Sequence, residues 1–183
     1  FFYLQRYSNI NQYNTNSMPT IEELRKTRIE KLKKLKDAGI LAYPAKTNRT
    51  HSVAEVLKNF GKLSKSKKRI VLAGRIMAKR GQGGLTFLDI NDGSAKMQGL
   101  IKIDKLGEKG YQFFLDVFDI GDFIELKGTL FTTQKGEKTI EAEDYKMLSK
   151  ALLPLPEKWH GLQDTEEKLR KRYLDVIFNP EVR

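Results

Sequence analysis

Phe87 and Gln98 are the two side chains whose types and placement could do chemistry together. An aromatic ring offers a face on which an unpaired base stacks. An amide beside it both donates and accepts hydrogen bonds, so the pair suits holding a splayed single-stranded base and reading its edge. What should bring them together is the alternation of residues 85–91 and 95–103 around Asp92-Gly93, a dipeptide favoured in tight hairpin turns. With Asp92 and Gly93 as the central turn residues, Leu88 is expected opposite Met97, Ile90 opposite Ala95, Phe87 opposite Gln98 and Asp89 opposite Lys96. One face of the hairpin is then apolar and the other carries the ring and the amide. Strand aromatics are usually core, but Leu88, Ile90 and Met97 already supply the core side.

Other chemistry is poorly represented. There are no cysteines, which removes disulfide scaffolds and thiolate zinc sites and fits a reducing compartment. His51 and His160 stand far apart, neither with a second ligand at zinc-like spacing. Gly81-Gln82-Gly83-Gly84 lacks the following Lys-Ser or Lys-Thr of a phosphate loop and joins two predicted strands rather than a strand and a helix. Gly93-Ser94 is not a nucleophile elbow, since the second glycine and the following helix are missing. Glu141, Glu143 and Asp144 stand along a predicted exposed strand, where solvation is expected rather than acid-base work. No catalytic constellation is expected, and no apolar run approaches the ~20 residues of a membrane span.

The elements that would position the pair are legible around it. After residue 70 the pattern runs strand (70–80, with Gly74 permitting a bend), strand (85–91), strand (95–103), helix (105–118), strand (122–132), a turn at Lys135-Gly136 and strand (138–146). Three strands, a helix and two strands is the order of an OB-fold, a five-stranded barrel that binds oligonucleotides across its second and third strands. An SH3-like barrel is the competitor, and the helix favours the OB-fold. The expected class is mainly β with flanking helices, preceded by a basic helical arm. In that arm Thr20 and Glu23 form a capping box for a helix whose Ile21, Leu24, Ile29, Leu32 and Leu35 fall within an arc of about 140°. Gly39 should end it. Ser52 and Glu55 make a second box for a short helix closed by Gly61, and a basic loop over 65–69 leads into the barrel.

Charge singles out the same arm. The formal net charge is +11, and residues 18–70 hold 15 Lys and Arg against 5 Asp and Glu, whereas residues 71–150 hold 12 against 12. A basic arm on a neutral body suggests a polyanion gripped by the arm and inspected by the body. The expected division is a disordered or non-native leader over 1–17, the arm over 18–69, the barrel over 70–150, and a Pro-containing connector with a helix opened by Asp164 and Glu167 over 151–183.

The run AGRIMAKRGQGGLTFLDINDGSAKMQ, followed by DIGDFIELKGTLFTTQKGE and LLPLPEKWHGLQDTEEKLRKRYLDVIFNPEVR, closely resembles the N-terminal part of bacterial-type lysyl-tRNA synthetases, which are class II aminoacyl-tRNA synthetases. The PLPEKWHGLQD and RYLD segments set the likeness apart from the related aspartyl and asparaginyl enzymes. The resemblance implies an anticodon-binding domain in which Phe87 stacks on the central anticodon uridine, Gln98 hydrogen-bonds it and Arg80 contacts the same nucleotide. It also implies that Glu137, in the KGE turn, helps read a flanking uridine. Lys33, Lys34 and Lys79 are expected to contact phosphates. The implied partner is tRNA(Lys), with no membrane, in the cytoplasm. A complete enzyme of this kind uses ATP and Mg²⁺ to make lysyl-adenylate and dimerises through its catalytic domain. The three class II motifs are not found in these residues, so recognition without catalysis is expected of them. A free-standing OB-fold RNA or single-strand binder is the alternative, and the connector speaks against it.

Overall fold

Residues 19–155 and 169–178 are described in the structure, a computed structural model. Strands β1 (Ile70–Gln82), β2 (Leu85–Asn91), β3 (Lys96–Lys102), β4 (Phe123–Thr132) and β5 (Lys138–Ser149) close into a barrel in the order β1-β2-β3-β5-β4. Every pairing is antiparallel except β3 with β5, which is parallel. Closure removes free edges, the usual liability of a small sheet. Inside lie Leu72, Ile76, Leu88, Ile90, Ile101, Ile124, Leu126 and Ile140, each at most 0% exposed. Burying an aliphatic side chain of this size stabilises a fold by roughly 1.5–3 kcal/mol relative to leaving it in water.

Two glycines let the barrel close at this radius. At Gly74, where β1 passes from pairing with β2 to pairing with β4, an added Cβ would lie 3.1 Å from the Asn91 carbonyl carbon. At Gly128, beside an irregularity in the β4–β5 register, it would overlap the Glu141 carbonyl oxygen. Backbone meets backbone at both places, so no rotamer change relieves the clash.

Between β3 and β4 runs helix α4 (Ile103–Val117), kinked at Gly107 (φ 71°), and it begins two residues before the stretch the sequence predicts. Its Tyr111, Phe114 and Val117, with Phe118 just beyond, enter the core. Phe114 and Phe118 stack at 5.0 Å between centroids, and Tyr145 of β5 meets both edge-on at 5.4 and 5.3 Å. The Tyr145 hydroxyl donates to the Gly110 carbonyl at 2.6 Å, and burial, with Asp144 nearby, pushes its pKa up to about 12.

The N-terminal helices are built into this core rather than appended to it. Helices α1 (Ile21–Asp37) and α2 (Val53–Lys58) open on the expected capping boxes at Thr20/Glu23 and Ser52/Glu55. Gly61 does not close the second helix: a further helix, α3 (Phe60–Ser66), runs through it and ends at Lys67 (φ 50°). Leu35, Val53, Val56 and Phe60 join the same cluster as the barrel interior. On α1 the expected apolar arc is only partly used. Leu35 is buried and Leu24 and Leu32 half-buried, while Ile21 and Ile29 stay exposed. The middle of that arc is Arg28, 9% exposed, whose guanidinium donates to the carbonyls of Ile120, Ala151 and Leu153 at 3.0–3.1 Å.

The segment containing Asp164 and Glu167, and the PLPEKWHGLQD connector beyond Leu155, lie outside the described residues. Helix α5 (Arg172–Phe178) follows.

Candidate nucleic-acid interface

The β2–β3 hairpin that carries Phe87 and Gln98 has a different register from the expected one. Asn91 pairs with Lys96, so the loop holds four residues and Phe87 faces Leu100, Leu88 faces Gly99, Asp89 faces Gln98 and Ile90 faces Met97. The reason is the Asp92 carboxylate. Its Oδ1 accepts from the N–H groups of Ser94 and Ala95, and its Oδ2 accepts from the Val53 N–H at the start of α2 at 2.9 Å. Asp92 therefore closes its own turn and caps a neighbouring helix, which a two-residue turn would not allow. Burial raises the Asp92 pKa, but these hydrogen bonds outweigh it and leave the group below its ordinary value.

A shift of two residues preserves the alternation of faces. Thr86, Leu88, Ile90 and Met97 point inward, and Phe87, Asp89 and Gln98 remain together outside, half-buried. Phe87 and Gln98 become diagonal neighbours, a spacing that rings and long side chains bridge.

Arg80 reaches this face because of a bulge. The β1–β2 register slips between Ile76 and Ala78, after which Arg80 pairs with Phe87 and Lys79 with Leu88. One extra residue exchanges the two faces of the strand end. It sends Arg80 outward and turns Lys79 toward α4, where its ammonium donates to the Leu115 and Phe118 carbonyls at 3.2 and 2.9 Å and lies 5.0 Å from the Phe114 ring centre. Burial, and less strongly the neighbouring Lys31 and Lys150, hold the Lys79 pKa below its usual value despite Asp119. Lys79 is thus not brought to the outer face with the others, and its donors are spent on the end of α4.

On that outer face Asp89 links two cations, accepting from Arg80 Nη2 at 2.9 Å and pairing with Lys96 Nζ at 2.8 Å. Burial pushes its carboxyl up, yet the hydrogen bonds and charges of Lys96 and Arg80 together hold it below the ordinary range. A groove of about 520 Å³ opens here, and Arg80, Gln98 and Glu137 all line it, with Lys96 and Lys138 as further cations. Phe87 stands beside Arg80 on the neighbouring strand. Lys33 and Lys34 are exposed on α1, which packs on α4, and do not line the groove. The strand carboxylates expected to be solvated are partly engaged: Glu141 pairs with Lys102 at 2.6 Å and Glu143 with Arg69 at 2.5 Å. Among the described residues, no group of three or more His, Cys, Asp and Glu could hold a metal ion, and no helix is long and apolar enough to cross a membrane.

Sequence reasoning missed Asp89 as a link between cations, and it missed Thr139. The latter is fully buried on β5 beside Gln98 and donates to the Gln98 Oε1 at 2.8 Å. No local pattern marks a threonine that acts on another strand.

A closed β-β-β-α-β-β barrel with an aromatic, an amide and cations across strands 2 and 3 is the working face of an OB-fold, and residues 70–148 match the tRNA anticodon family of OB-fold nucleic acid binding domains. This part of the chain is an OB-fold domain. The likeness extends well beyond the barrel. The chain is 45% identical over 163 residues to a lysine-tRNA ligase of Pelotomaculum thermopropionicum, covering 89% of this chain and 32% of that protein. It is 48% identical to the ligase of Carboxydothermus hydrogenoformans, with 89% and 33% covered, and 42% identical to that of Thermoanaerobacter pseudethanolicus, with 96% and 35% covered. The chain is homologous to lysine-tRNA ligases over most of its length and spans about a third of the length of these relatives.

Proposed function

We propose that this chain recognises the anticodon of tRNA(Lys) as part of a lysine-tRNA ligase. In this reading Phe87 stacks on the central base, Gln98 hydrogen-bonds its edge, Arg80 contacts the same nucleotide, and Glu137 reads a neighbouring one. The observation that carries it is the gathering of Arg80, Gln98 and Glu137 on one groove, with Phe87 beside Arg80. The similarity outside the barrel favours this reading over a free-standing single-strand binder, since a lone OB module has no use for the flanking segments. The whole ligase would join lysine to tRNA with ATP and Mg²⁺ through lysyl-adenylate, acting in the cytoplasm as a homodimer. The described residues offer no metal-holding cluster, and the recognition proposed involves neither ATP nor Mg²⁺. The division into a basic helical segment (18–69), a barrel (70–150) and a connector leading to a catalytic domain (151–183) belongs to the same proposal.

The direct test is affinity for an anticodon stem-loop carrying UUU against one with a changed central base. Gln98→Ala should leave most of the stacking affinity intact and erode the central-base preference about five- to tenfold, the worth of one hydrogen bond whose loss strands a partner. An unchanged preference would remove Gln98 from the reading.

The lysines of α1 have a different signature. Phosphate contacts carry no sequence information and release counterions. Replacing Lys33 and Lys34 together by Ala should weaken matched and mismatched loops alike and reduce the slope of log affinity against log salt by about 1.4–1.8, at ~0.7–0.9 per contact. Titrations at several KCl concentrations measure it, and an unaltered slope would show that these two lysines face only solvent.

A further inference from the structure

Gln98 can present either end of its amide to the groove, and the two ends select opposite bases. The carbonyl end accepts and the NH₂ end donates. Uracil shows a carbonyl acceptor at position 4 where cytosine shows an amino donor, so an amide turned one way matches uracil and turned the other way matches cytosine. Nothing on β3 itself decides between them.

The β3–β5 pairing does. Thr139 is the direct partner of Gln98 in the parallel ladder and is fully buried, so its hydroxyl has no access to water. That hydroxyl carries one proton and has two acceptors within reach, Gln98 Oε1 at 2.8 Å and the Glu137 carbonyl at 3.2 Å. At 2.8 Å the contact to Gln98 has the usual length of an O–H···O bond, whereas a flipped amide, donating its Nε2 to the hydroxyl, would leave the Thr139 proton only the longer 3.2 Å contact to the Glu137 carbonyl. With Oε1 held against β5, the Nε2 end is left for the groove.

We infer that Thr139 is a positioning residue for base selection: its hydroxyl fixes the Gln98 amide so that the groove offers N–H donors and accepts uracil over cytosine at the base that Gln98 reads. The inference rests on the anticodon reading and adds to it the reason for a pyrimidine preference. Its neighbours act in the same sense. Asp89, the acceptor facing Gln98 across the hairpin, is paired with Arg80 and Lys96, so the carboxylate opposite the amide is already turned to two cations. A cytosine amino group placed here would meet donors and stay unsatisfied, which is the stronger form of rejection.

The experiment compares Thr139→Val with Thr139→Ser in the whole chain, measuring affinity for stem-loops with U or C at the central position and following thermal unfolding. Valine keeps the β-branched shape and removes only the hydroxyl, so the barrel should persist. Serine keeps the hydroxyl and removes a methyl. The U-over-C preference should fall about fivefold in Thr139→Val and persist in Thr139→Ser, a split that a packing role would not produce. Gln98→Glu, which retains the acceptor for Thr139 but turns an acceptor toward the groove, should lower or reverse the preference even if the valine variant proves too unstable to measure. A wild-type preference retained in Thr139→Val, or lost equally in both threonine variants, overturns the inference. A wild-type chain with no preference at all fails the anticodon reading itself and takes this inference with it.

Discussion

Lys150→Met is expected to destabilise the fold by about 3–5 kcal/mol, the usual consequence of leaving a buried charge without its partner. Lys150 closes β5, and its ammonium is fully buried, within 2.6 Å of Asp119 Oδ2, 2.7 Å of Asp122 Oδ2 and 2.7 Å of the Val117 carbonyl. Asp122 is equally buried and also accepts from the Asp119 and Ala151 N–H groups. From the solvent side Lys31 of α1 reaches Asp119 at 2.5 Å. The network therefore ties the end of α4, the start of β4, the exit of β5 and helix α1 at one point. Methionine fills the same volume, so the loss reports charge rather than packing. Urea or thermal unfolding measures it, and Lys150→Met combined with Asp122→Asn provides the control. Removing both partners leaves less uncompensated charge, so the double variant should be more stable than Lys150→Met alone; the reverse order would refute the electrostatic account.

The same network fixes the direction of a pH effect. Burial raises the Asp119 carboxyl, but the hydrogen bonds and charges of Lys150 and Lys31 outweigh it and leave it below its ordinary value. A carboxylate depressed in the folded state stabilises the fold above its unfolded pKa, and that contribution is lost as pH falls through the folded pKa. Lys150→Met removes part of it, so the deficit of the variant should be largest near neutrality and shrink as the solution is acidified below the carboxylate range.

How much of this could be read in the sequence divides along the range of the interactions. β2 occupies residues 85–91 as the alternation predicts, and both capping boxes stand where Thr20/Glu23 and Ser52/Glu55 place them, because periodicity and caps are local properties. The inward and outward faces of the hairpin were also legible, since a register shift of two residues leaves them unchanged. What was not legible depends on distant partners. The hairpin loop is four residues long because Asp92 caps a helix 39 positions away. A bulge at Met77 exchanges Lys79 and Arg80, and an unmarked extra residue cannot be found from alternation alone. Arg28 hides within an apolar arc because its three acceptors are backbone carbonyls 92 to 125 residues further on. Glu137 carries no signal of its own in a polar turn and came into view only through the family resemblance.

Phe87→Ala is expected to lower affinity for the cognate anticodon stem-loop by about 1–3 kcal/mol, the range for one base losing its aromatic platform. The fold should survive. Phe87 is half-buried on the outer face and takes no part in the core cluster, which draws on Thr86's neighbours Leu88 and Ile90 on the opposite side of β2. Across the hairpin Phe87 pairs with Leu100, itself 3% exposed. Directly paired residues share a face of the sheet, so a role in keeping Leu100 from water and a role in offering a face to a base need separating. Phe87→Leu keeps an apolar cover without a π face, whereas Phe87→Trp supplies a larger one. If stacking carries the affinity, binding should rank Trp and Phe above Leu and Leu near Ala, while thermal stability should hold Leu close to wild type and lower only Ala. A binding series that instead follows the stability series would make Phe87 a lid on Leu100, and the outer face of the hairpin would no longer serve as the place where a base is held.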